Sequence, residues 1–314
     1  MSGTHAHHHH HHHDHEPSRS HEGRGLWVSL GLTALFACIE AGAGLLAHSL
    51  ALLSDAGHVF SDSLGLGLSL FAVWMARRPP SPRHSYGLMR SEIIVAFING
   101  LVLLAVVTGI IVLAVRRLQN PQPVGGGVVM VVAALGMIMN GGIVYALAQE
   151  KRTLNTRSAI LHILGDLLGS AAALVAGTVI FFTGWMPIDP ILSLVISGLI
   201  LYSTVQLLRE TLNVLMEGVP RHLDLPTVGR AMAEAAGVVS VHDLHIWTLS
   251  SGTLALSAHV IVEDISGWNQ LLKVMQELLH ERFDIDHVTL QPEPPSSLVA
   301  GGHHVIQIYP RTSP

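Results

Sequence analysis

Six apolar runs, each about 20 residues or longer, recur over the first two-thirds of this sequence, and a helix of that length crosses the roughly 30 Å hydrocarbon core of a bilayer. They extend from near Leu26 to Ala47, Ser49 to Met75, Ser91 to Val115, Val124 to Leu147 and Ser158 to Phe182, and from the Gly184 to Pro190 turn to near Leu208. In lipid every backbone polar group must be satisfied internally, so unbroken runs of this length read as helices. Only the neighbourhood of His48 and Ser49 is left to turn the chain between the first two, which makes them a tight hairpin. Composition agrees: 49% of residues are hydrophobic and 12% charged, against about 25% charged in soluble domains. Mean hydropathy is +0.48. These values argue against a soluble enzyme, and a net charge of −5 without a basic cluster argues against nucleic acid as a partner.

The basic residues beside the runs set the orientation. Arg19, Arg24, Arg77, Arg78, Arg83, Arg90, Lys151, Arg152, Arg157 and Arg209 fall on one side of the membrane, and Arg116 and Arg117 on the other. The positive-inside rule places the first group, and with it both termini, in the cytoplasm.

From Glu217 to Pro220 the composition changes to that of a soluble domain. Thr227 to Ala236 and Gly267 to Phe283 read as helices, and Val238 to Leu249, Thr253 to Val262 and His287 to Gln291 as strands. That order predicts a small α+β domain with its helices on one sheet face. The organisation expected is a histidine-rich tract over 1–24, a six-helix transmembrane domain over 25–212, a cytoplasmic domain over 213–296 and a flexible tail over 297–314.

Ionisable groups inside a span cost about 2.5 to 3.5 kcal/mol at a helix centre, so each is a functional candidate. His58 and Asp62 lie in the second run, and His162 and Asp166 in the fifth, with the same His-x-x-x-Asp spacing. Residues at i and i+4 share a helix face, so each helix offers an imidazole beside a carboxylate. Two such faces opposed supply two nitrogens and two oxygens in a tetrahedral set that suits Zn²⁺. A single pair would serve equally as polar glue between helices; its recurrence on a second helix favours ligands. Asp55, one turn before His58, is a candidate to support the ligands from behind or to line the outer mouth. Glu40, Asn99 and Asn140 read as structural polar partners. The one cysteine, Cys38, rules out a thiolate site of the CxxC kind.

The N-terminal histidines His7, His8, His9, His10, His11, His12 and His13 could be an expression tag. The flanking His5, His15 and His21, interleaved with Asp14, Glu16 and Glu22, favour a native tract that captures metal.

The segments SLALLSDAGHVFSDSLGLGLSL, HSYGLMRSEIIVAFINGL, RRLQNPQPV, LHILGDLLGSAAAL and VHDLHIWTLSSGTLALSAH resemble the cation diffusion facilitators, over nearly the whole chain from Gly25 to Glu293. The resemblance implies a homodimer of six-helix subunits in a lipid bilayer, metal export from the cytoplasm coupled to inward movement of protons, and a ferredoxin-like cytoplasmic domain that binds metal. A bacterial inner membrane is the expected setting. His58 stands where some relatives carry a second Asp, which resembles the zinc-preferring branch rather than manganese carriers. Of the site that some members build between the second and third helices, only His84 remains; Ser81 and Leu88 occupy the other positions. In the soluble domain the family's metal positions map to His242, His259 and Glu293, with Asp286 in a slot that is His in some relatives, so Zn²⁺ is expected both as cargo and as a regulatory ligand. His245 reads as structural.

Imidazole and carboxylate also accept cadmium, cobalt and nickel, which keeps a broader-range exporter open. A membrane-embedded metalloenzyme would need an open coordination position, whereas four protein ligands are on offer and no HExxH occurs, so the chain is not expected to be an enzyme.

Overall fold

The computed structural model of the chain describes residues 19–76, 78–148, 154–250, 252–295 and 308–311. Six long helices come first: α1 (Arg19–Leu46), α2 (Leu50–Ala76), α3 (Ser91–Gln119), α4 (Gly126–Ala148), α5 (Leu154–Thr183) and α6 (Ile188–Leu215). Among the described residues five stretches are long and apolar enough to cross a membrane, within α2 to α6, and α1 adds the shorter apolar stretch Thr33–Leu46. Large apolar side chains such as Phe60, Phe71, Ile94, Val131, Leu168 and Leu199 face outward, as a surface solvated by lipid requires.

Helix α4 packs closely on α5, and α3 on α6. Lipid offers no hydrophobic drive to association, so small residues that let backbones approach hold the α4–α5 pair. A Cβ at Gly177 would stand 2.5 Å from the Met130 amide nitrogen and 3.0 Å from the Gly126 carbonyl oxygen. The hairpin between α1 and α2 is the three residues Ala47, His48 and Ser49, with His48 at φ 52°. Arg117 of α3 donates to the His48 carbonyl. Asp189, fully buried in the first turn of α6, closes the start of α2: it accepts from the Ser49 hydroxyl at 2.5 Å, the Leu50 amide at 2.8 Å and the Ala51 amide at 3.3 Å.

The soluble domain comprises α7 (Leu225–Ala233), β1 (Val238–Ser250), β2 (Thr253–Val262), α8 (Trp268–Phe283), β3 (His287–Glu293) and β4 (Ile308–Pro310). Asp224 caps α7 by accepting from the Thr227 amide. The sheet order is β3-β2-β1-β4, with β1 antiparallel to β2 and β4, and β2 parallel to β3. A parallel pair needs a crossover, and α8 supplies it. Val228 and Met232 of α7 join Met275 and Leu279 of α8 in one core with Val241, Ile246, Leu256 and Val260 of the sheet.

The tail differs from expectation at its end. Residues 308–310, expected within a flexible segment, pair with β1 in the register Ser240↔Pro310 to His242↔Ile308. The cause is packing: the Tyr309 ring lies on the bare backbone of Gly229, where a Cβ would collide with it, and joins the domain core. Helix α6 also runs on to Leu215, past the expected domain limit at 212. Once its apolar face is buried, a helix continues through polar residues such as Arg209 and Glu210.

Candidate metal centres

His58 and Asp62 share one face of α2, and Asp166 comes to them from α5. The Nε2 atom of His58 lies 3.4 Å from Asp62 Oδ2 and 3.5 Å from Asp166 Oδ1, and the three ligand atoms fall within 4.8 Å of one another. A tetrahedral ion with bonds of about 2.1 Å separates its ligand atoms by about 3.4 Å, and both separations measured from His58 match that value. His162 lies one helical turn before Asp166 on α5; its side chain falls outside the described residues. The three side chains are partly buried, at 19%, 30% and 13% exposure for His58, Asp62 and Asp166. An ion there would lose most of its water while keeping a way out.

Asp55 is not among these three. It is buried between α2 and α5, where it accepts from the Ser170 hydroxyl at 3.1 Å. Its Oδ1 fills the space beside Gly169 that any side chain would occupy. Asn99 does act as a structural partner, its Oδ1 accepting from Ser61 at 3.4 Å. Glu40 is 1% exposed, and neither of its carboxylate oxygens has a hydrogen-bond partner among the described residues. Asp189, which caps α2, was not singled out in the sequence. An acid one residue before Pro190, at the start of an apolar run, was the available signal.

The second cluster is in the soluble domain. His242 on β1 and His259 on β2 are directly opposite in the antiparallel register, with ring centroids 5.1 Å apart. Glu293, at the end of β3, bridges them: Oε2 lies 3.2 Å from His242 Nε2 and Oε1 2.7 Å from His259 Nδ1. Three adjacent strands thus deliver two imidazoles and a carboxylate to one point, a grouping able to hold a metal ion. The β1–β2 register shifts between His242 and His245, where Asp243 adopts φ 48°. A bulge of this kind re-aims side chains beside it.

Asp286 does not reach this cluster. It precedes β3, whose far end carries Glu293, and seven residues of strand span about 23 Å. Its carboxylate instead meets His280 Nδ1 at 2.6 Å on the surface. His245 is exposed on β1. His84 closes a turn with Ser81 through two backbone hydrogen bonds of 3.0 Å. His7 to His13 lie outside the described residues. A cavity of about 1020 Å³ holds neither cluster; it opens between the helices and the soluble domain and is lined by Arg83, Tyr86, Arg90, His245 and Trp247 among others. Beside it Arg90 Nη2 meets Glu217 Oε1 at 3.0 Å, tying the start of α3 to the end of the bundle.

Comparison with known proteins places this geometry in context. Residues 26–216 match the family model described as the cation efflux transmembrane domain, and residues 220–295 match that of the cation efflux protein, cytoplasmic domain. The zinc transporter ZitB of Escherichia coli is 39% identical over 273 residues, 86% of this chain and 87% of its own length. A cadmium, cobalt and zinc/H(+)-K(+) antiporter of Bacillus subtilis is 36% identical over 275 residues, 85% of this chain and 88% of its own. Among solved structures, the metal-bound C-terminal domain of the CzcD transporter from Cupriavidus metallidurans is 40% identical, covering 23% of this chain and 99% of that one with a TM-score of 0.21.

Proposed function

Because the chain belongs to the cation efflux family, the cation diffusion facilitators, we propose that it exports Zn²⁺ from the cytoplasm in exchange for protons. The ion binds at a tetrahedral site of His58 and Asp62 on α2 with His162 and Asp166 on α5. The observation that carries the reading is the 3.4 and 3.5 Å separation of His58 Nε2 from two carboxylate oxygens on different helices, the spacing of a tetrahedral zinc site. A ligating imidazole must give up its proton, so metal and proton compete for one lone pair, and binding one from the cytoplasm releases the other. Movement of α2 against α5 around this fixed point would open the site to either side in turn.

The chain acts as a homodimer in a bacterial inner membrane, with both termini and the soluble domain in the cytoplasm, where the basic loop residues also lie. His242, His259 and Glu293 bind regulatory zinc when cytoplasmic zinc is high. Cadmium and cobalt, named for the Bacillus subtilis relative, are a second class of cargo, and the nitrogen and oxygen ligands accept them.

The deciding experiment is zinc flux into proteoliposomes under an imposed pH gradient, comparing the intact chain with His162→Ala and Asp166→Ala. Gradient-driven uptake lost in both variants supports the site. Full flux in both would leave the His/Asp pairs as helix glue.

A further inference from the structure

A second group of buried carboxyls lies toward the α1–α2 turn from the zinc site, and the cargo site does not use it. Glu40 sits about 9 Å from the end of α1, and Asp55 about 5 Å nearer the turn than His58, at 1.5 Å of rise per residue. Glu40, Asp55 and Ser170 are 1%, 2% and 1% exposed. The Ser170 hydroxyl donates to Asp55 Oδ2 at 3.1 Å, which leaves its own lone pairs to accept. The hydroxyl and Glu40 border the same space over a glycine of α4: a Cβ at Gly136 would stand 3.0 Å from Ser170 Oγ and 3.2 Å from Glu40 Oε1. Both Glu40 oxygens lack a hydrogen-bond partner among the described residues.

The carboxylates that bear on Glu40 are Asp55 of α2 and Asp166 of α5. Helix α4 brings Gly136 and Asn140, and its one titratable group, Tyr145, is exposed near its far end. No Lys or Arg occurs in α2 or α4, and those of α1 and α5 lie at the helix ends away from this turn. Two buried carboxyls without a cation must draw their compensating charge from solution. With only oxygens in the group, a proton suits it better than zinc, which favours nitrogen or sulfur.

We propose that Glu40, Ser170 and Asp55 form a proton-carrying site, separate from the metal site, that loads the counter-ion as the metal leaves. Glu40 takes a proton at one carboxylate oxygen and donates it to Ser170 Oγ, which passes its own proton to Asp55 Oδ2. One O–H bond breaks and one forms at each step, so a single proton passes from α1 to α2 at about the same depth below the α1–α2 turn, and the serine keeps one proton throughout. Gly136 leaves open the space that Glu40 and Ser170 both border, across which the carboxyl swings to hand its proton to the hydroxyl.

This rests on the antiport reading, and the test separates the two. In proteoliposomes holding a trapped pH dye, the wild type should move protons when zinc is added. Glu40→Gln should lose both that proton signal and pH-gradient-driven uptake, while zinc still binds with wild-type affinity by calorimetry. Ser170→Ala, which removes the relay hydroxyl and adds no volume, should give the same split and serves if Glu40→Gln does not fold. Wild-type proton movement in either variant that binds zinc overturns the site. So does the loss of one bound zinc ion per subunit on Glu40→Gln, which would mark a second metal site instead. A wild type that carries zinc with no proton movement overturns the antiport reading itself, before any substitution is made.

Discussion

The carboxylate of Asp189, at the start of α6, accepts the backbone N–H of Leu50, the first residue of α2, at 2.8 Å across 139 positions of sequence. With Ser49 and Ala51 it gathers three donors at a helix N-terminus that would otherwise be left unsatisfied in the membrane. The helix it holds is the one that carries His58 and Asp62.

Asp189→Asn should therefore weaken the bundle by about 1–3 kcal/mol, since an amide cannot accept all three bonds with the strength of a carboxylate. The expected readout is a lower melting temperature of the purified protein in detergent. An unchanged melting temperature would show that water or lipid headgroups satisfy the start of α2 equally well.

Gly177→Val should be more disruptive than the same change at an open glycine of this bundle such as Gly198, beside which nothing lies within 4 Å of a Cβ. At Gly177 the new carbon meets the α4 backbone, and α4 and α5 must separate at a cost of about 1–3 kcal/mol or more. Thermal unfolding of the two variants, measured in parallel, distinguishes a required close approach from a general intolerance of bulk.

Glu293→Gln should lower zinc affinity of the soluble-domain cluster by about ten- to a hundredfold, because the carboxylate both bridges the two imidazoles and supplies the anionic ligand. Calorimetry on the chain lacking Met1 to His21 and carrying Asp62→Asn and Asp166→Asn isolates this cluster from the membrane site and from the histidine tract. Asp286→Asn should leave the affinity unchanged, since Asp286 pairs with His280 at the other end of β3. A loss on Asp286→Asn in place of Glu293→Gln would reverse the assignment.

Deletion of Met1 to His21 should raise the zinc concentration needed for half-maximal uptake while leaving the maximal rate unchanged, if the histidines concentrate zinc at the inward entrance. An unchanged half-saturation concentration would remove that role.

Much of the architecture was legible because its causes are local. Lipid demands long apolar helices, and the period of 2 or 3.6 marks each soluble element, so the expected β2 limits, Thr253 and Val262, coincide with those found. Candidate ligands one turn apart, such as His58 and Asp62, are likewise local, and only intramembrane charge is needed to notice them. The short strand near Tyr309 was not legible, since three residues among prolines and polar groups carry no periodic signal. Its place depends on a bare patch of backbone at Gly229, distant in sequence.

By itself, then, the sequence determined the helix count, the division into membrane and soluble parts, and the residue types able to hold a metal, because each follows from near-neighbour chemistry and the solvent it must face. Tertiary structure decided which of those residues meet. Packing brought Asp166 to His58, put Asp55 on Ser170, set Asp189 over α2, and left Glu40 buried with no hydrogen-bond partner among the described residues. Such encounters depend on how helices far apart in sequence fit together, and that fit is set by close approaches at glycines such as Gly177, Gly169 and Gly136, whose neighbours no local pattern records.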